Sequence, residues 1–139
     1  MGNKDLIDHL NEALGWELRA VNMYAHYAAN SQGIHRLQLD PMFNGEVTES
    51  LAHADVVRRA IVKLGGVPVT ERNPHPIVHT TDYKAMLERS LETETKAAEV
   101  YANIIQLVED VGDQEMYDAI EQIYLAELRS LEDLRLILA

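Results

Sequence analysis

The chain has 139 residues, with 23 acidic side chains against 12 basic and a formal charge of −11; that suits one domain with a real core and excludes a nucleic-acid partner, which needs basic surface. It contains no cysteine, so disulfides, thiolate metal sites, iron–sulfur clusters and cysteine nucleophiles are excluded. No stretch approaches the roughly 20 apolar residues of a membrane helix, and the N-terminus through Leu6 shows neither a signal-peptide core nor a myristoylation match, which makes the cytoplasm the expected location.

The first helix is expected from Asn3 to about Asn30, with Gly33 as its stop. The second is expected to begin near Ile34, or at Asp40-Pro41 with Asp as cap and Pro in the first turn, and to end at Gly65-Gly66. Residues 67–81 contain Pro68, Pro74 and Pro76 and cannot continue a helix. The third helix follows Thr81 or Asp82 and ends near Gly112. Asp113 caps the fourth, which runs almost to Ala139. The two-residue joint at Gly112-Asp113 makes the last two helices antiparallel. The long link between the second and third marks an all-α four-helix bundle with one crossover connection.

Each helix carries an apolar stripe with steps of three and four, which places its members on one face. The first reads Leu10, Leu14, Glu17, Val21, Tyr24, Ala28. The second reads Phe43, Glu46, Ser50, His53, Val57, Ala60, Leu64. The third reads Leu87, Leu91, Glu94, Ala98, Tyr101, Ile105, Val108. The fourth reads Met116, Ile120, Ile123, Glu127, Ser130, Leu134, Ile137. An acid at a core position costs several kcal/mol unless it is paired or binds a cation. One intrusion per helix, each near mid-helix, points to a shared buried metal site. Carboxylates with imidazole suit iron, manganese, cobalt or zinc. The alternative is a silent polar core, with protonated acids hydrogen-bonded to Ser50, Ser130 and tyrosines.

The segment from Leu10 to Tyr24 (LNEALGWELRAVNMY) resembles the first-helix signature of the ferritin-like superfamily, in its bacterioferritin branch. Ser50-Leu51-Ala52-His53-Ala54-Asp55 is similar to the second-helix ligand block, and Leu64-Gly65-Gly66-Val67-Pro68 to its usual exit. Glu94 and Glu127 fall where the third- and fourth-helix carboxylates belong. The resemblance spans nearly the whole chain. It implies a di-iron bundle whose chemistry is the oxidation of Fe(II) by oxygen or peroxide.

Two of the six implied ligands are absent. Ser50 stands where the family has a bridging Glu, and Ser130 where it has a terminal His. On the family arrangement, Glu17, His53 and Glu127 surround the first metal position. Glu94 and Glu127 alone serve the second. The expectation is therefore a reduced iron-handling or storage site, with about one metal and weak or absent ferroxidase activity. Glu46, one turn before Ser50, is read as accepting a hydrogen bond from Tyr24 rather than ligating. Glu49, rotated about 100° from Ser50, is read as facing outward, with an i, i+4 pair to His53 as the lesser alternative. Tyr24 matches a tyrosine that can pass an electron near the family's site, and an ordinary core tyrosine is the competing reading.

Leu51 replaces the family's haem-ligating methionine, so no haem is expected. Trp16 lies beside its stripe and suits a subunit contact. His75 and His79 are read as solvated, with a surface metal site as the alternative; His9, His26 and His35 receive no role. The resemblance implies a homo-oligomer, at least a dimer. No fifth helix follows the fourth, which speaks against a 24-subunit shell. Two further functions stay open: a non-catalytic assembly subunit, even one joining another ferritin subunit, and a mononuclear metal enzyme.

Overall fold

The computed structural model describes residues 3–139; Met1 and Gly2, on which the N-terminal reading partly rests, lie outside them. Four helices form in chain order: α1 (Asn3–Asn30), α2 (Arg36–Lys63), α3 (Tyr83–Val111) and α4 (Gln114–Leu138). Among the described residues there is no strand, and no helix is long and apolar enough to cross a membrane.

Two of the expected caps are built from side chains. Asp82 accepts a hydrogen bond from the Ala85 amide, and Asp113 from the Met116 amide. Each satisfies an amide that the first helical turn leaves without a partner. Gly112 closes α3 in the left-handed region, at φ 78°, where a side chain would be strained.

The second helix decides between its two expected starts in favour of the one near Ile34. It starts at Arg36, after a His35 cap that makes no side-chain hydrogen bond, and Pro41 lies inside it. Asp40 is not its cap. Arg36 explains the earlier start: its guanidinium donates to the carbonyls of Ala28, Ala29 and Ser31 at the end of α1. One residue thus opens α2 and closes α1 with positive charge at a helix C-terminus. Pro41 removes one amide from the helix ladder. Leu37, whose carbonyl would have accepted it, is 74% exposed and open to water.

The helices pair as α1 with α2 and α3 with α4, and the two pairs join mainly through α1 and α3. Register across that joint follows from two hydrogen bonds. Tyr101 reaches Glu17, and Tyr24 reaches Glu94. Residue numbers rise on one helix as they fall on the other, so α1 and α3 are antiparallel.

Residues 67–81 run alongside α1 in the same direction. Asn11 holds Val67 and Val69. The Gly15 carbonyl accepts from the Asn73 amide at 2.9 Å. A Cβ at Gly15 would stand 3.4 Å from that amide nitrogen, in ordinary van der Waals contact, so the segment lies directly against α1 here. Farther along, the buried Arg19 donates to the carbonyls of His75 and Pro76 and to Thr93 Oγ1. The Tyr27 hydroxyl donates to the Val78 carbonyl at 2.7 Å. Trp16 is only half exposed: its ring lies 6.0 Å from that of His75, with the Arg19 guanidinium 5.3 Å from its centroid. It packs on the crossover instead of facing outward.

The core has two apolar halves. One gathers around Leu10, Leu14, Val57, Tyr101 and Ile120, the other around Met23, Tyr24, Phe43 and Met86. The polar cluster lies between them.

Candidate metal centre

Glu17, Glu94 and Glu127 project from the middles of α1, α3 and α4, and are only 2%, 4% and 5% exposed. Ser50 is buried with them, while His53, Glu46 and Ser130 are partly buried. The apolar stripe thus delivers three carboxylates and one imidazole to the interior. At the ends of the stripes the outcome differs. Ile137 is 51% exposed, whereas Leu131, off the stripe, is buried.

Glu17, His53 and Glu127 meet: one ligand atom from each lies within 4.8 Å of the others. His53 Nδ1 is 3.3 Å from Glu17 Oε2 and 3.4 Å from Glu127 Oε1. Both approaches are within ion-pair range, yet Nδ1 has no well-aligned hydrogen-bond partner, and neither does Glu127 Oε2. Buried polar atoms are rarely left so. The spacing itself is informative. Ligands held at ~2.0–2.1 Å around a tetrahedral ion stand about 3.3 Å apart. The imidazole nitrogen therefore already stands at that separation from both carboxylates, and the two unpartnered atoms are both potential ligands. Imidazole with two carboxylates fits iron, manganese, cobalt or zinc.

The electrostatics favour a cation. Burial, then the charge of Glu127, pushes Glu94 well above the ordinary carboxyl range. Burial also pushes Glu127 up to about 8, with Glu17, Glu46 and Glu49 adding to it. Glu46 is raised to about 8 by burial and by Glu94. At His53, burial lowers the imidazole, but Glu17, Glu49 and Glu94 outweigh it and the net shift is upward. Without a cation, these acids relieve their repulsion by keeping protons.

Several neighbours differ from expectation. The Tyr24 hydroxyl donates to Glu94 Oε1 at 2.6 Å, not to Glu46. The Tyr101 hydroxyl donates to Glu17 Oε2 at 2.6 Å, so a residue given no role in the sequence orients a candidate ligand. Its signal was the antiparallel register, because 17 with 101 and 24 with 94 share one sum. At Glu49 the lesser alternative, the i, i+4 pair with His53, is the one that forms. Glu49 Oε1 lies 3.6 Å from His53 Nε2, on the far side of the ring from the carboxylate pair, where a carboxylate fixes an imidazole's orientation. Arg19 was missed as well, since a buried arginine looks like any other helical charge until the crossover is in place.

Beside the triad, a cavity of ≈ 340 Å³ opens between Tyr24, Glu46, Ser130 and Asp133, with Met42 and Leu134 on its apolar side. Ser130 thus adjoins open space. Leu51 is 53% exposed on the outer side of α2.

Residues 7–139 match the family of the ferritin-like domain. The chain is 29% identical over 132 residues to the bacterial ferritin of Neisseria meningitidis serogroup B, covering 95% of this chain and 82% of that protein. It is 31% identical over 112 residues to the bacterial ferritin of Pseudomonas aeruginosa, covering 81% and 71%. Among solved structures, a ferritin-like diiron-carboxylate protein from Bacillus anthracis superposes with a TM-score of 0.94 at 29% identity, over 100% of this chain and 99% of that one. A bacterioferritin-related protein from Bacteroides fragilis, described as a dodecameric thioferritin, gives 0.85 at 26% identity, over 95% and 83%. With its four-helix bundle and its mid-helix carboxylates, the chain belongs to the ferritin-like domain family.

Proposed function

We propose that this protein handles iron through a reduced intrahelical site, binding one divalent ion per subunit between Glu17, His53 and Glu127. The observation that carries the reading is the spacing of 3.3 and 3.4 Å around an unpartnered His53 Nδ1. The bacterial-ferritin relatives support iron as the physiological cation. Manganese, cobalt and zinc suit the same ligands. Tyr101 and Glu49 hold Glu17 and His53 in position. Tyr24 binds Glu94 and serves chiefly as a core residue beside the site.

The second position is weak. Glu94 is committed to Tyr24, Ser50 and Ser130 offer neutral hydroxyls, and a cavity adjoins Ser130. Oxidation of Fe(II), in which each iron gives one electron to oxygen or peroxide, is therefore slow, since dimetal chemistry needs both ions. The protein works as an oligomer of at least two copies in the cytoplasm, as a single domain over residues 1–139. The dodecameric relative supports the oligomer.

The test is stopped-flow absorbance of anaerobic Fe(II) protein mixed with oxygen. Ser50→Glu with Ser130→His should oxidise iron faster than wild type, and each change alone should help less. Wild-type protein as fast as the double variant would mean that Glu46 or another group already completes a dimetal centre.

A further inference from the structure

Two imidazoles meet on the surface, away from the buried cluster. His26 on α1 and His79 in the crossover are both exposed. His26 Nε2 lies 2.8 Å from His79 Nδ1, and the rings stand at 72° with centroids 5.1 Å apart. Their backbones are already fixed. His26 lies within a long helix. His79 follows Val78, whose carbonyl is held at 2.7 Å by the hydroxyl of the buried Tyr27, the residue next to His26. Little further ordering is needed to bring the two nitrogens onto one ion.

At 2.8 Å the two nitrogens are a hydrogen-bonded pair in the metal-free protein. The same separation is about that of two nitrogens held ~2.0 Å from one ion across a right angle, so an ion that displaces the shared proton finds both donors already close. Right-angled nitrogen donors suit the tetragonal or square-planar Cu(II) and Ni(II) ions. We propose that His26 and His79 form a surface site for Cu(II) or Ni(II), with water in the remaining positions. In the bound state each ring presents a lone pair, so His79 carries its proton on Nε2 and His26 on Nδ1, where the Asn30 amide nitrogen, 3.5 Å away in the metal-free protein, must give way. Bound metal staples the end of the crossover to α1. The site is independent of the Glu17–His53–Glu127 cluster.

The test uses the untagged full chain carrying His53→Ala, so that the buried cluster does not compete; His53→Gln is a second background should the first fold poorly. Cu(II) is titrated and followed by electron paramagnetic resonance. The expected result is one Cu(II) with hyperfine coupling to two nitrogens. His26→Gln and His79→Gln should each weaken binding at least tenfold, and the pair together little more than either alone. His75→Gln, at an exposed histidine of the same segment, should leave binding unchanged. Copper affinity unaltered by His26→Gln or by His79→Gln would overturn the proposal.

Discussion

Metal affinity at the buried triad should depend steeply on pH, and the reason lies in Glu127. Burial and its carboxylate neighbours raise this group to about 8. Between pH 6 and 7 it therefore holds a proton in the metal-free protein, and a cation must displace about one proton to reach the carboxylate. One displaced proton makes affinity rise about tenfold per pH unit. The upward shift at His53 adds to the slope at the acid end. Above about 8 Glu127 is already ionised, and the curve flattens. Stability of the metal-free fold runs the other way. The unfolded carboxyl, near 4.5, gives up its proton before the folded one at about 8. The contribution is fully present below 4.5 and is lost as pH rises through that window. Titration with Co(II), followed by its visible absorption at pH 6, 7, 8 and 9, reads the slope. Glu127→Gln should weaken binding and remove most of the dependence. Affinity constant from pH 6 to 8 would show that Glu127 is ionised in the metal-free core, and the electrostatic reasoning would fail.

Three further substitutions test the supports of the site. Arg19→Met removes the donor to His75, Pro76 and Thr93 and should destabilise by about 1–3 kcal/mol, read in urea melts, because the Pro76 carbonyl and the buried Thr93 hydroxyl lose a charged donor while the His75 carbonyl keeps Arg72; a loss under about 0.5 kcal/mol would mean the crossover is held elsewhere. Tyr101→Phe strips Glu17 of its 2.6 Å donor and should lower metal-free stability by about 1–3 kcal/mol, with an unchanged melting curve as the contrary result. Gly66→Ala places a Cβ 2.8 Å from Ile7 Cγ2 and 3.1 Å from Ile61 Cγ2. Both are branch methyls with little room to turn, so about 1–3 kcal/mol is expected, and a stabilised variant would argue against that packing.

The helices were legible because their signals are local. Asp82 and Asp113 cap where their sequence places them, and Glu17, Glu94 and Glu127 are buried where their stripes put them. Between the two starts open for α2, near Ile34 or at Asp40-Pro41, the sequence alone did not choose, for an equally physical reason. Asp40-Pro41 carries a local start signal, but Arg36 opens the helix earlier by closing the end of α1. The contacts hardest to read join distant segments. Tyr101 on Glu17, Tyr24 on Glu94 and Arg19 on the crossover depend on register between elements, which no single stripe encodes. Glu49 shows the same limit on one helix: its angle around α2 points it away from Ser50, yet its side chain is long enough to approach His53. His79 likewise looked solvated beside His75, and its partner proved to be His26, more than fifty residues earlier.

The most direct measurement of the central claim is anomalous diffraction from crystals soaked in Co(II) or, without oxygen, Fe(II), collected at the metal edge. One dominant peak is expected in the bundle interior, ~2.0–2.2 Å from Glu17, His53 Nδ1 and Glu127. No peak there would establish a silent polar core. Two peaks of equal height, the second held by Glu46 and Glu94, would contradict the single-ion site and restore a complete dimetal centre.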